Sequence, residues 1–233
     1  MGPGAGVHAV DDIIKLHASF VGLSAMRHTP GIAVGVHVGA EILPVIAELA
    51  SLRIAVFRDW PYLYDGDEAY ERDYLASYAA SPRAICVVAR DGCGEAVGAS
   101  TGIPLEDDGE AFQRPFRERG VAIGEVFYFG ESVLLAPWRG HGVGHAFFDV
   151  REAHARACGD FRWTAFCSVR RDASDARAPT GHRGNDAFWR KRGYMPVDGM
   201  ACTLSWKERG DALASEHTLD FWMRAIDRAK DPA

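Results

Sequence analysis

The run Arg139-Gly140-His141-Gly142-Val143-Gly144 places an arginine and three glycines in one short turn. An apolar stretch, Val126 to Leu135, leads into it, and an amphipathic stretch, Val143 to Ala157, leads out. A helix that starts on such a turn presents unpaired backbone N–H groups, and its dipole adds partial positive charge there. Glycines let an anion approach the backbone closely, so this strand–turn–helix suits a pyrophosphate. The spacing is not the dinucleotide pattern Gly-x-Gly-x-x-Gly, and it lacks the Lys-Ser/Thr ending of a P-loop.

His141 and His145 stand four apart, as a metal-binding pair on a helix would. No third ligand has matching spacing, so no metal site is expected. The cysteines (Cys86, Cys93, Cys158, Cys167, Cys202) are odd in number and widely spaced, without Cys-x-x-Cys. They read as reduced packing thiols of a cytoplasmic protein.

The elements that would position the turn follow from periodicity. Ile32 to Val38 is a β-branched first strand. Pro44 opens a helix that runs to about Phe57, and Asp67 to Ala80 is a second helix with Tyr70, Tyr74 and Tyr78 along one flank. Strands follow at Ala84 to Arg90 and Ala96 to Gly102, around the turn Asp91-Gly92-Cys93-Gly94. A charged segment, Leu105 to Gly120, holds a short helix. Val126 to Leu135 is a fourth strand and Gly142 to Cys158 a third helix. Trp163 to Val169 is a fifth strand, Arg170 to Gly184 a polar loop, and Asn185 to Arg192 a short helix closed by Gly193. Met200 to Lys207 and Thr218 to Ile226 complete a set of seven strands and about four helices. Residues 1–30 read as an N-terminal extension, disordered at Met1 to Gly6, with a helix over Asp11 to Met26. No linker or repeat divides residues 31–226, so they form a single domain, and 227–233 is a tail.

Composition narrows the function. With 233 residues, 48% hydrophobic and 25% charged, the chain is that of an ordinary globular protein. A net charge of −6 argues against nucleic acid or an anionic membrane as a general partner. The longest uncharged stretch, Thr29 to Ala40, is too short to span a bilayer. No basic leader precedes an apolar run at the N-terminus, so the expected location is the cytoplasm.

The turn Arg-x-x-Gly-x-Gly, the strand after it and the segment Phe188-Trp189-Arg190-Lys191-Arg192-Gly193-Tyr194 together resemble the signature of the GCN5-related N-acetyltransferase (GNAT) superfamily. The resemblance covers roughly residues 31–226. It implies an α/β (α+β) acyl-CoA N-acyltransferase fold, with a mixed, mostly antiparallel sheet. It also implies acetyl-CoA as co-substrate and direct transfer to a small-molecule or peptide amine in a ternary complex. An acyl-CoA sensor without catalysis, a longer acyl donor, a hydroxyl acceptor and a homodimer all stay open.

By the same resemblance, Arg139, Gly140, His141, Gly142, Val143, Gly144 and His145 would hold the pyrophosphate. Val133, Leu134 and Leu135 would line the pantetheine arm, where a backbone N–H polarises the thioester carbonyl. An attacking amine must lose a proton, and Glu131, set in an apolar strand that would raise its pKa, is the candidate base. The alternatives for Glu131 are a plain ion pair with a nearby arginine or a solvent-facing side chain. Glu125 and Tyr128 are further candidates. The family's tyrosine acid falls at Trp189, which has no phenolic proton; Tyr194 either packs at the start of the following strand or supplies the substitute hydroxyl, and water is the other source of the proton. The acceptor would meet the corner between the first two helices, where Arg58, Trp60, Tyr62 and Tyr64 offer aromatic faces for a cationic amine. Arg170 and Arg171 would bind an anion or stand in a solvated loop.

Overall fold

A computed structural model describes residues 31–226. The expectations for residues 1–30 and 227–233 lie outside the described residues.

The helices and strands arise where the apolar periodicity places them. The strands are β1 (Ala33–Val38), β2 (Ile85–Arg90), β3 (Ala96–Pro104), β4 (Val126–Tyr128), β5 (Ser132–Leu134), β6 (Trp163–Val169), β7 (Met195–Trp206) and β8 (Ser215–Ala225). The α-helices are α1 (Ile46–Phe57), α2 (Glu68–Ala80), α3 (Glu110–Glu118), α4 (Val143–Cys158) and α5 (Asp186–Lys191). A 3-10 turn over Gly39–Val45 holds Pro44 and precedes α1. The side chain of Asp67 caps α2 by accepting the Tyr70 N–H at 2.9 Å, as an N-cap carboxylate does.

The sheet runs β1-β2-β3-β4-β6-β8-β7, with β5 also paired to β3. Its neighbours are antiparallel except β4 and β6, which run parallel. Side chains alternate across it, as a pleated strand dictates. Cys86, Val88, Tyr128, Ala165 and Phe221 pack with Leu49, Leu52, Leu75 and Phe116 of α1, α2 and α3. Ile85, Val87, Phe127, Phe129, Phe166 and Trp222 pack on the other face with Phe147 and Phe148 of α4. Three layers result.

The strand expected over 126–135 is two strands, which makes eight rather than seven. β4 pairs with β3 at Ile103 and Pro104, and β5 pairs with β3 at Gly98 to Ser100. Between them the chain breaks at Phe129-Gly130-Glu131. Gly130 is needed there because a Cβ would overlap the Tyr78 hydroxyl. Arg151 of α4, almost wholly buried, fastens the break: its Nη1 donates to the carbonyls of Thr101 (3.0 Å) and Glu131 (3.1 Å). Its Nη2 donates to Ser132 Oγ at 2.7 Å. The seventh strand, β7, starts five residues earlier than the sequence suggests, and its pairing with β8 is irregular between Pro196 and Ala201.

Candidate functional site

The break after Phe129 opens the sheet. The Phe129 N–H still bonds the carbonyl of Ala165 on β6 (2.8 Å), and beyond it β5 follows β3 instead. Leu135 N–H bonds Val97 O at 3.0 Å and Thr101 N–H bonds Glu131 O at 3.1 Å. By strand alternation the N–H and C=O groups of Ser132 and Leu134 therefore point away from β3. This outward edge leads straight to the glycine turn. Arg139 folds back along it, and its Nε donates to the Leu134 carbonyl at 3.0 Å.

The turn ends on Gly142, whose left-handed backbone (φ +84°) starts α4 with no side chain capping the helix. An uncapped helix start with an exposed glycine approach meets the requirement for an anion. Arg139, Gly140, His141 and Gly142 are exposed there, and Val143 is buried. The His145 ring packs on Phe188 (4.9 Å between centroids), and its Nδ1 lies 3.5 Å from Arg192. Of the three apolar residues, Val133 is fully buried against the α1–α2 side, while Leu134 and Leu135 are partly buried on opposite faces. Among the described residues no three His, Cys, Asp or Glu side chains are grouped so as to hold a metal ion. No described helix is long and apolar enough to cross a membrane.

On the other side of the break lies a cavity of about 350 Å³. Gly130 and Tyr128 form part of its floor, α1 and α2 supply Arg53, Phe57, Tyr70 and Tyr74, and Asp107, Asp108 and Phe112 come from the segment before and within α3. Glu131 is not in its lining. The Glu131 carboxylate is buried and pairs with Arg53 Nη1, and Arg53 Nε pairs with Glu71. The other Glu131 oxygen, Oε1, is buried with no hydrogen-bond partner among the described residues. Burial pushes the Glu131 carboxyl above its usual range, against the pull of Arg53. Burial works against the charge of Arg53, but Glu131, Tyr74 and Glu71 outweigh it and hold the guanidinium above its ordinary value.

Asp108 is the second unusual carboxyl. Its Oδ1 accepts the Gly109 N–H at 2.7 Å, whereas Oδ2 is buried with no partner among the described residues. Burial pushes this group up to about 7; the Gly109 N–H lowers it, and the Glu131 charge adds to the rise.

The structure distributes the remaining expected residues unevenly. Tyr62 lines the cavity, with its ring 4.2 Å from Phe57 and 5.6 Å from Trp206. Trp60 turns instead to Arg171 (5.4 Å) and His182 (6.1 Å). Burial, with the nearby Glu71 charge, raises the Tyr64 hydroxyl above its ordinary value, and Arg58 is exposed. Arg171 is no anion site. It donates to the carbonyls of Pro61 (2.6 Å) and Tyr62 (3.1 Å) and pairs with Glu208 (2.6 Å), so it ties the corner down. Arg170 pairs with Asp220, and Glu125 pairs with Arg162 at 3.3 Å. The Tyr128 hydroxyl lies 3.0 Å from the Cys167 thiol.

Tyr194 sits in the core with no exposed surface. Its hydroxyl bonds Thr164 (2.9 Å) and Glu152 (3.2 Å), and burial pushes it up. Trp189 packs on Phe166 and Trp222, at 5.0 and 5.1 Å.

Solved structures share this fold. The aminoglycoside 6'-N-acetyltransferase complexed with coenzyme A matches with a TM-score of 0.52 at 16% identity, over 84% of this chain and 99% of that one. NAA60 of Arabidopsis thaliana, in complex with a bisubstrate analogue, matches with a TM-score of 0.52 at 12% identity, over 85% and 99%. A structure identified as a GNAT-family acetyltransferase from Desulfovibrio desulfuricans matches with a TM-score of 0.50 at 12% identity, over 84% and 100%. No family model and no curated protein matches the sequence. The fold of this chain is the GNAT acetyltransferase fold.

Proposed function

We propose that this chain is an acyl-CoA-dependent N-acyltransferase that moves an acetyl group from acetyl-CoA to an amine by direct attack. One observation carries the reading: Gly130 belongs at once to the cavity floor and to the strand break from which the outward β5 edge begins. A donor laid along that edge and an acceptor in the cavity would meet there.

The α4 start and the turn Arg139 to Gly144 would take the pyrophosphate through backbone N–H groups, with His145 beside them. The outward groups of Ser132 and Leu134 would pair with the amides of the pantetheine arm as an added strand does. A backbone N–H near the break would stabilise the oxyanion that forms when the amine attacks. The amine nitrogen bonds to the thioester carbon, the C–S bond breaks, and CoA leaves as thiolate while the amine gives up a proton. Glu131 is the proposed proton acceptor, reached through the break rather than from the cavity wall. The thiolate takes its proton from water, since the Tyr194 hydroxyl is engaged in the core.

Thermal melts with CoA, acetyl-CoA and longer acyl-CoAs test the donor, because a ligand that binds only the native state raises its stability. Stabilisation by acetyl-CoA together with thiol release in an amine panel supports the reading. Failure of every CoA species to stabilise the protein would remove it. Stabilisation without thiol release on any amine would instead favour an acyl-CoA sensor, which the tryptophan at position 189 also suits.

A further inference from the structure

The cavity beside Gly130 has a charge pattern that a bare acyltransferase site does not need. Among the described residues that line it, Arg53 is the only cation, and it is engaged by Glu71 and Glu131. Asp107 and Asp108 also line it. Asp107 has a donor, the Ser81 hydroxyl at 2.6 Å. Asp108 Oδ2 has none among the described residues and is buried. A buried carboxylate oxygen without a donor costs stability, and a ligand that brings a donor removes that cost. The walls around it are the rings of Phe57, Tyr62, Tyr70, Tyr74, Phe112 and Tyr128.

We propose that Asp108 is the counter-ion of the acceptor, and that the cavity takes a small primary ammonium with an apolar or aromatic body and rejects amines bearing a carboxylate. This names the acceptor class and rests on the acyltransferase reading for the step that follows binding. An ammonium gives Asp108 Oδ2 a charge-assisted hydrogen bond, and the aromatic faces attract the same charge. A carboxylate on the ligand would meet Asp107 and Asp108, with Glu131 and Glu71 behind Arg53, and be repelled. About 350 Å³ lies at the small end of ligand pockets, roughly 300–1,000 Å³. Asp108 shares the cavity with Gly130, so an amine seated on it lies on the acceptor side of the strand break.

Calorimetric titration of the full chain with phenethylamine and with phenylalanine, each with and without saturating CoA, tests this directly. The two probes share a body and differ by one carboxylate. Phenethylamine is expected to bind, and phenylalanine to bind at least tenfold more weakly. Asp108→Asn is expected to weaken phenethylamine at least tenfold, with the melting temperature and the response to CoA undiminished. Failure of phenethylamine to bind, equal binding of the two probes, or unchanged affinity in Asp108→Asn overturns the proposal. A purely structural Asp108 would lower the melting temperature and leave the affinity alone. The comparison of the two probes on the unmodified protein stands even if the variant does not fold. Amine binding without any effect of CoA defeats the acyltransferase reading and leaves this site intact. CoA stabilisation with thiol release from amines indifferent to Asp108→Asn does the reverse.

Discussion

The guanidinium of Arg151 donates to the backbone carbonyl of Glu131 at 3.1 Å, so the helix behind the sheet holds the split strand from the rear. The same group also bonds Thr101 O on β3 and Ser132 Oγ on β5. Replacing it removes three buried hydrogen bonds at the strand break, and of its acceptors the Glu131 carbonyl keeps the Thr101 N–H. Arg151→Met is expected to cost roughly 3 kcal/mol, from charged hydrogen bonds worth about 1.5–3 kcal/mol each. A melting temperature lower by roughly 6–12 °C would follow for a domain of this size. A melt within about 2 °C of the unmodified protein would show that the strand break holds without it.

Arg53 stands between Glu71 and Glu131 and makes the two carboxylates a matched pair for mutation. Glu71→Gln and Glu131→Gln each leave Arg53 with one buried carboxylate, so their effects on stability should be similar. Their effects on catalysis should differ. A base acts in its deprotonated form, so with Glu131 as the proposed base the acyl-transfer rate should fall as pH drops through its raised titration. Glu131→Gln should lose that acid limb and roughly 10²–10⁴-fold in kcat/KM; Glu71→Gln should keep the limb. Identical pH profiles for the two variants would assign Glu131 to the ion cluster alone.

Asp108 gives a stability prediction with a definite sign. Its carboxyl moves from an ordinary 3.8 to about 7 on folding, chiefly through burial. Between those values the native state holds a proton that the unfolded chain has lost, so stability falls as pH rises through that window. Asp108→Asn removes the effect. The variant should match the unmodified protein near pH 4 and exceed it above pH 7, by about 1–3 kcal/mol, the cost of a buried group without a partner. Denaturant melts across this pH range check it, and a variant less stable at pH 8 would contradict it.

Tyr194→Phe separates packing from proton transfer. The hydroxyl bonds Thr164 and Glu152 inside the core. Its loss should cost about 1–2 kcal/mol and leave the turnover number within twofold. A large fall in kcat at unchanged stability would restore Tyr194 as the acid for the departing thiolate.

What was legible in the sequence is what neighbours along the chain decide. The glycine turn reads correctly because a strand, a left-handed glycine and a helix start are local. The break at Gly130 is not local, since it depends on the Tyr78 hydroxyl and on Arg151, from two different helices. An apolar run from Val126 to Leu135 therefore reads as one strand. Arg53 did leave a signal, a charged residue on the buried stripe of α1 with Leu49 and Leu52. Asp108 left none, because its charged segment looks solvated until α1 and α2 cover the cavity. The corner 58–65 is dense in aromatics, yet Tyr62 alone of the four named residues lines the cavity. Hydrogen bonds from Arg171 and Trp206 to Tyr62 O fix that choice from outside the corner.

Arg139 has a consequence for how the donor would enter. Its Nε occupies the Leu134 carbonyl, one of the outward groups of β5. Under the proposed function, that side chain would compete with an incoming pantetheine for the edge of β5. Displacement would free the cation that opens the proposed anion turn, Arg139 to Gly144, so the side chain would be traded from carbonyl to phosphate. Seating the arm and gripping the pyrophosphate would then be one event, and a pantetheine fragment without phosphates would meet an edge still plugged.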